Sequence, residues 1–229
     1  MIDDKKISAV ITAAGNGLRM KSDKAKPYIE LKGRKILEIC LDTVVSLEEI
    51  DQLIVVIRKD DEDYLKDIIK KYKKKISYVF GKETRELSTY EGLKAVDKDS
   101  KLVLTHDGVR PFASKKLFKN IMDELREYKA VISAVKSKDT VKIVGEDLLV
   151  KNTPLRKEVY NVQTPQAFDK EMILSYYEKY TKSDLTITDD SQLFEIFSKD
   201  KIKVVEGEYS NIKITTPEDL IFARGFLED

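Results

Sequence analysis

A segment near the amino end carries the residue types that bind phosphate groups. Ala13–Met20 follows an apolar run and combines small side chains with the cation Arg19, and Lys26 adds a second cation. Small side chains let backbone N–H groups approach an anion closely. The glycines alone fit a plain flexible loop equally well, but the two cations favour a phosphate-binding loop. It is neither a P-loop nor a dinucleotide-binding loop, because both glycine patterns are incomplete here.

A second group of polar residues, Thr105–Pro111, also follows an apolar run. An aspartate at the carboxyl end of a strand is well placed to hold Mg²⁺, which accepts one or two carboxylates and completes its shell with water and phosphates. We therefore predict Asp107 as the metal ligand. Arg110 is predicted to face a substrate phosphate, since a planar guanidinium suits oxyanions. His106 is interpreted as a structural residue.

The composition excludes several classes of function. Lysine and arginine total 42 against 41 acidic residues, and a net charge of +1 offers no field for gathering nucleic acid or anionic lipid. Cys40 is the only cysteine and His106 the only histidine, so oxygen ligands must hold any metal. No apolar run approaches the ~20 residues that span a bilayer, and Met1–Lys6 is too acidic and short for a signal peptide. We expect a cytoplasmic protein without nucleic-acid or membrane partners.

The segments that must position these residues alternate between strand-like and helix-like patterns. Short runs rich in Val and Ile are typical of buried parallel strands, and apolar residues at helical spacing lie between them, within 36–47, 64–72 and 117–125. This alternation predicts a doubly wound α/β sheet, in which ligands bind at the carboxyl ends of the strands. The predicted strands are Ile7–Thr12, Leu53–Ile57, Ile76–Phe80, Leu102–Thr105 and Ala130–Val135.

The alternation stops within residues 137–163. Thr140–Val144 and Leu148–Val150 predict a small hairpin that turns at Gly145–Asp147. Because it has no helical neighbour, we interpret 137–163 as an excursion from a single domain that spans residues 1–229. After it, the pattern predicts helices near Lys170–Tyr180 and Asp190–Phe197, strands at Ile202–Glu206 and Ile212–Ile214, and a last helix that begins at Pro217.

The phosphate-binding loop resembles the signature of the cytidylyltransferases that activate methylerythritol phosphate, within the wider sugar-nucleotide pyrophosphorylase group. The resemblance implies a Rossmann-like nucleotide-diphospho-sugar transferase fold, with a mostly parallel central sheet and a protruding β-arm. It also implies that backbone amides of the loop wrap the triphosphate of CTP, and that Arg19 and Lys26 are catalytic residues that stabilise the transition state. The matching loop residues are Ala13, Ala14, Gly15, Gly17, Arg19, Met20 and Lys26.

Gly81–Ser88 resembles the segment of this family that reads the cytosine base. The resemblance implies that the backbone near Gly81 and the Ser88 side chain recognise the base, with Arg85 close by. The family usually has a second glycine where this chain has Lys82. We therefore predict that CTP is preferred over UTP and ATP, with weaker selectivity against UTP than in relatives.

The excursion and its flanks also match the family, in which a β-arm crosses to the other subunit. The resemblance implies a homodimer in which Thr140 and Arg156 contact the phosphate of the acceptor in the partner's site. It further implies that Arg110, Thr164 and Lys213 contact that phosphate. The matching segments are Asp139–Lys142, Gln163–Phe168, Thr188–Ser191 and Asn211–Thr215.

Two polyol phosphates remain open as the acceptor. Thr105–Phe112, with Tyr160 before Gln163–Gln166, also resembles ribitol-5-phosphate cytidylyltransferases, which make CDP-ribitol for wall polymers. Asp139–Lys142 and Thr188–Ser191 favour the isoprenoid enzyme. We therefore predict transfer of CMP from CTP to 2-C-methyl-D-erythritol 4-phosphate, with Mg²⁺ as cofactor and pyrophosphate as the second product.

Two other classes of protein fit the sequence less well. A non-catalytic nucleotide-sensing domain on the same fold could lose Arg19 and Lys26, and both are present. A nicotinamide dehydrogenase needs the third glycine that the loop lacks.

Overall fold

The computed structural model describes residue 2 and residues 4–15 and 25–227. Short 3-10 helices at Lys26–Tyr28, Lys59–Asp61 and Arg156–Glu158 accompany its regular elements. In chain order these are β1 (Lys6–Thr12), β2 (Glu30–Leu31), β3 (Arg34–Lys35), α1 (Ile36–Val45), β4 (Gln52–Ile57), α2 (Glu62–Ile69), β5 (Ile76–Phe80), α3 (Arg85–Lys94), β6 (Ser100–Asp107), α4 (Lys115–Glu124), β7 (Ala130–Lys136), β8 (Ile143–Val144), β9 (Val150–Asn152), β10 (Tyr160–Asp169), α5 (Lys170–Tyr180), α6 (Gln192–Phe197), β11 (Ile202–Glu206) and α7 (Pro217–Gly225).

The main sheet has seven strands in the order β11-β7-β10-β6-β1-β4-β5. β1 pairs in parallel with β4 and β6, β4 with β5, and β7 with β11. Only β10 runs antiparallel to its neighbours in this sheet, β6 and β7. The predicted α/β fold with a mostly parallel sheet is therefore confirmed.

Helices cover both faces of this sheet, because successive strand residues point to opposite faces. Ile11 and Val55 belong to the cluster that α1, α2 and α4 cover. Val10 and Val56 belong to the opposite cluster, beneath α3, α5 and α6. Burial on both faces explains why these strands are continuously apolar. None of the helices in the described residues is long and apolar enough to cross a membrane.

The sequence pattern missed β10 and predicted one strand that does not form. Gln163–Gln166 is polar and contains Pro165, which has no N–H to donate, and a register shift against β7 accommodates this stretch. Tyr160–Gln163 pairs with β7 and so belongs to the main sheet. The excursion from the sheet therefore ends at residue 159. The strand predicted at Ile212–Ile214 is wrong, because this segment joins no sheet and is attached through the Ile214 N–H, which donates to the Val109 oxygen (3.0 Å).

The predicted hairpin within the excursion is present as β8 and β9. Ile143 pairs with Asn152 and Val144 with Val150, and the Leu148 N–H donates to the Gly145 oxygen (3.0 Å) to close the turn. Leu148 has a φ of +62°, which is unfavourable for a leucine. Leu148 is 83% exposed, so no apolar burial within the described chain accompanies this conformation.

Gly92 lies where α3 packs closely against β1 and β4. A methyl group added there would overlap Val10 Cγ1 and lie 2.7 Å from Val56 Cγ2. Alanine is better than glycine in a helix by about 1 kcal/mol, but overpacking a core costs about 1–3 kcal/mol. We expect Gly92→Ala to lower the free energy of unfolding in urea. The control is Gly225→Ala in α7, where an added methyl group would meet none of the described residues within 4 Å apart from its chain neighbours and the adjacent helix backbone. This variant should leave stability equal or higher. Equal stability of Gly92→Ala and wild type would contradict this packing.

Candidate active site

Two adjacent cavities open at the carboxyl ends of β1 and β6. The first has a volume of about 410 Å³ and lies between the loop after β1, the start of α3 and the end of β6. The second has a volume of about 290 Å³ and lies between the end of β6, the middle of β10 and the segment before α6. Arg85, Asp107 and Lys213 line both cavities. Two ligands, one in each cavity, would therefore lie next to each other at these shared side chains.

The loop after β1 forms one wall of the first cavity. Ala13, Ala14, Gly15 and Lys26 all line it. The Ala13 N–H donates to the Val56 oxygen (2.7 Å) and so belongs to the sheet, and the binding of a triphosphate by the loop amides stays a prediction. The predicted residues Gly17 and Arg19 lie outside the described part of the chain.

The segment predicted to read a base forms the opposite wall. Ser88 lines the first cavity, and its hydroxyl accepts from the Lys82 N–H (3.0 Å) and donates to the Lys82 oxygen (3.1 Å). Gly81 fits between two neighbours, because an added methyl group would lie 2.6 Å from both Ala14 Cβ and Ser88 Oγ. Lys82, rather than Gly81, lines the cavity. Ser88 therefore holds the backbone at Lys82, the position where the resemblance noted in the sequence leads us to expect a glycine.

Asp107 is the centre of the charged cluster between the cavities. Its Oδ2 accepts from Lys213 Nζ (3.0 Å) and Arg110 Nε (3.2 Å), and its Oδ1 lies 3.5 Å from Arg85 Nε. Burial alone would raise the pKa of this carboxyl, but the charges of Arg85, Lys213 and Arg110 outweigh it and hold the pKa well below its ordinary value. Asp107 is therefore ionised at neutral pH, and it orders three cations.

His106 and Thr164 support Asp107 from behind. Nε2 of His106 must donate to the Arg110 oxygen (3.2 Å), since a carbonyl only accepts, and Nδ1 then accepts from the Thr164 hydroxyl (3.0 Å). The hydroxyl oxygen of Thr164 in turn accepts from the Asp107 N–H (3.0 Å). Burial lowers the pKa of His106 to about 4, so the ring is neutral. This arrangement agrees with a structural role for His106. Thr164 lines the second cavity, and its phosphate contact stays a prediction.

Asp190 is a buried partner of the site that the sequence did not reveal. It is 0% exposed and accepts from Arg85 Nη1 (2.9 Å), the Thr105 hydroxyl (2.9 Å) and the Tyr177 hydroxyl (2.6 Å). The neighbouring Asp189 instead accepts from the N–H of Gln192 (3.0 Å), the first residue of α6. The sequence did offer one signal for Asp190. Two adjacent aspartates precede α6, and the start of a helix needs only one of them as a hydrogen-bond acceptor.

Thr140 and Arg156 line neither cavity. Both are exposed on the excursion that carries β8 and β9. The chain alone therefore brings together the first-cavity residues with Arg85, Asp107, Arg110, Thr164 and Lys213, but not these two.

The cluster suits the handling of phosphate groups rather than acid–base or thiolate chemistry. Cations at one carboxylate can neutralise charge on a triphosphate in one cavity and on a phosphate ester in the other. Cys40 is buried, and burial raises the pKa of its thiol, so it is no nucleophile.

Known proteins match the chain along nearly its whole length. The family model for 2-C-methyl-D-erythritol 4-phosphate cytidylyltransferase matches residues 7–229. A relative of that name from Clostridium botulinum is 41% identical, over 97% of this chain and 98% of its own length. The solved 4-diphosphocytidyl-2C-methyl-D-erythritol synthase from Anaerococcus prevotii is 62% identical, with a TM-score of 0.92 over 100% of this chain and 98% of that chain. A Francisella tularensis 2-C-methyl-D-erythritol 4-phosphate cytidylyltransferase has 28% identity and a TM-score of 0.81, over 96% and 99% of the two chains.

Proposed function

This chain belongs to the 2-C-methyl-D-erythritol 4-phosphate cytidylyltransferase family, and we propose that it transfers CMP from CTP to 2-C-methyl-D-erythritol 4-phosphate. The products are 4-diphosphocytidyl-2-C-methyl-D-erythritol and pyrophosphate, as needed for isoprenoid precursors. The observation that carries the proposal is the pair of cavities that share Arg85, Asp107 and Lys213. The relatives bear the methylerythritol name, which supports this acceptor and not ribitol 5-phosphate.

CTP occupies the first cavity, and the acceptor phosphate occupies the second, next to Arg110 and Lys213. An oxygen of the acceptor phosphate attacks the α-phosphorus of CTP, and pyrophosphate leaves. This nucleophile is already largely an anion, since the second pKa of a phosphate is about 6. The protein therefore supplies positioning and charge neutralisation rather than a base. Lys26 and Arg19 act on the triphosphate side, and Arg85 lies between the substrates.

Magnesium is proposed as the cofactor, with Asp107 as its protein ligand. The described residues contain no cluster of three or more Asp, Glu, His or Cys that could hold a metal alone. A single ionised carboxylate that faces the triphosphate cavity nevertheless fits Mg²⁺, which commonly takes one carboxylate and completes its shell with phosphates and water. Such an ion would neutralise charge on the phosphate oxygens.

Removal of divalent ions should stop the reaction. One carboxylate among cations is a weak metal site, so we expect EDTA to strip the ion readily and abolish pyrophosphate release, and excess Mg²⁺ to restore it. Binding of Mn²⁺, followed by electron paramagnetic resonance, should be weak until CTP is added. Full turnover in EDTA would contradict the assignment of Asp107.

We further propose a homodimer joined by the excursion, here called the arm (residues 137–159). A two-stranded hairpin is marginally stable in water unless another surface covers it. The arm exposes apolar side chains, and symmetric dimers are the commonest way to cover such a surface. The dimer would bring Thr140 and Arg156 into the second cavity of the partner chain. The exposed apolar residues are Ile143, Val144, Leu148, Leu149, Val150 and Leu155.

A cytoplasmic location is also proposed. Its support is the single cysteine, which allows no disulfide within the chain, together with a net charge of +1, which favours neither nucleic acid nor anionic membranes as partners.

A pyrophosphate-release assay with parallel substrates tests the function. CTP is combined with methylerythritol 4-phosphate, ribitol 5-phosphate or glycerol 3-phosphate, and then UTP or ATP replaces CTP. We expect the highest kcat/KM with CTP and methylerythritol 4-phosphate. A higher value with ribitol 5-phosphate would contradict the proposed acceptor, and equal rates with all nucleotides would contradict the proposed base site.

A further inference from the structure

Uncharged polar side chains form part of the wall of the second cavity. Gln166 lies in this wall and is completely buried. Its Nε2 donates to the Gln163 oxygen (3.4 Å) and to Asp189 Oδ2 (3.4 Å). The backbone oxygen of Gln163 can only accept, so the hydrogen-bond network assigns which amide atom is the nitrogen. Oε1 therefore takes part in neither of these hydrogen bonds.

Gln166 Oε1 has no hydrogen-bond donor among the residues that the structure describes. A buried amide oxygen without a donor costs free energy, and native proteins contain few of them. Gln166 lines a cavity that is proposed to take a polyol phosphate. A hydroxyl group of that ligand is a donor of the right kind, because hydroxyls both donate and accept.

The position of Gln166 along the sheet fits such a contact. It pairs with Thr105 of β6, two residues before Asp107. Two residues correspond to about 7 Å along a strand. The cavity thus has a cationic end at Arg110 and Lys213 and an accepting side at Gln166 and Asp189. The cationic end attracts the phosphate, and the carboxylate of Asp189 on the accepting side repels it. The carbon chain of the ester therefore extends towards Gln166.

We propose that Gln166, held by Asp189, accepts a hydrogen bond from a hydroxyl of the acceptor and so determines which phosphate ester is used. This inference rests on the proposed function of the second cavity. A site built to pair with a hydroxyl rejects analogues that lack it, since a buried polar group is then left unpaired.

Gln166→Leu tests this role, because leucine has nearly the same bulk and no amide. We expect the KM for methylerythritol 4-phosphate to rise about tenfold or more, with the KM for CTP unchanged. The preference for this acceptor over the shorter glycerol 3-phosphate should shrink. The Tm of the ligand-free variant should change little, because the loss of the unpaired oxygen offsets the loss of the amide donor to Gln163 and Asp189.

Gln52→Leu is the matched control. The Gln52 amide accepts from the Ser8 hydroxyl (2.7 Å) and donates to the Asp97 carboxylate (3.1 Å), and it lines neither cavity. This variant should lower the Tm and leave both KM values unchanged.

A fall in the Tm of Gln166→Leu with an unchanged acceptor KM would overturn the proposal, since it would make the amide a packing group. The failure of the proposed function looks different. In that case the wild type would release no pyrophosphate with any polyol phosphate. The role of Gln166 would then be tested by comparing the shift in Tm that methylerythritol 4-phosphate produces in the wild type and in Gln166→Leu. An equal shift in wild type and Gln166→Leu would then overturn the proposal.

Discussion

Asp107→Asn is expected to lower kcat about a thousandfold or more, because one carboxylate orders the groups that stabilise the transition state. Asp107 binds Lys213, Arg110 and Arg85, and each of these lines at least one cavity. An asparagine leaves these cations without a counter-charge and removes the proposed magnesium ligand. Initial rates of pyrophosphate release at saturating CTP and acceptor measure the effect.

Asp61→Asn is the control for loss of a buried carboxylate. Asp61 is buried and binds Arg58 (3.1 Å), but it lines neither cavity. Removing one partner of a buried ion pair is destabilising, so Asp61→Asn should lower the Tm while kcat stays near that of the wild type. If Asp107→Asn kept a kcat within tenfold of the wild type, the charged cluster would not be the catalytic centre.

Two inactive variants are expected to restore activity when they share a dimer. Lys26→Ala should lose about 10² or more in turnover, as expected for a transition-state cation. Arg156→Ala should lose the acceptor contact that the arm provides to the partner. If the arm crosses, a mixed dimer has one site with both lesions and one with neither. Random mixing then gives about one quarter of wild-type activity, and isolated mixed dimers about one half.

The structure supplies a matched control for this experiment. Lys26 and Lys213 line the same cavity of one chain. A mixed dimer of Lys26→Ala with Lys213→Ala therefore has one lesion in every site and should stay inactive. The chains must be co-expressed with different tags, so that mixed dimers can be isolated and confirmed by mass. Mixed dimers of Lys26→Ala and Arg156→Ala that stay as inactive as their parents would show that Arg156 serves its own chain.

The sequence predicted the strands and helices that have a clear local pattern of apolar residues. β1, β4, β5, β6 and β7 each contain a short apolar run, and α1, α2 and α4 carry apolar residues at helical spacing. β10 was not predicted, because Gln163–Gln166 is polar and interrupted by proline. The place of β10 in the sheet depends on pairing with β6 and β7. Long-range pairing leaves little trace in local composition.

The same distinction applies to the site. Asp107, Arg110 and Lys26 could be predicted because they stand in short motifs next to strands. The pairing of Arg85 with Asp190 joins residues 105 positions apart, and nothing near either residue indicates the other. Ser88 was predicted as a base contact, which stays a prediction, and its hydroxyl binds the Lys82 backbone. Motifs therefore located the groups, but only the fold showed which partners orient them.

The most direct test of the proposed reaction is the identity of its product. The chain is incubated with CTP, methylerythritol 4-phosphate and Mg²⁺, and the mixture is followed by phosphorus NMR and mass spectrometry. We predict equal amounts of pyrophosphate and of a diphosphate diester that joins cytidine to methylerythritol. Release of orthophosphate with CDP, or formation of CMP without the diester, would contradict nucleotidyl transfer by this site.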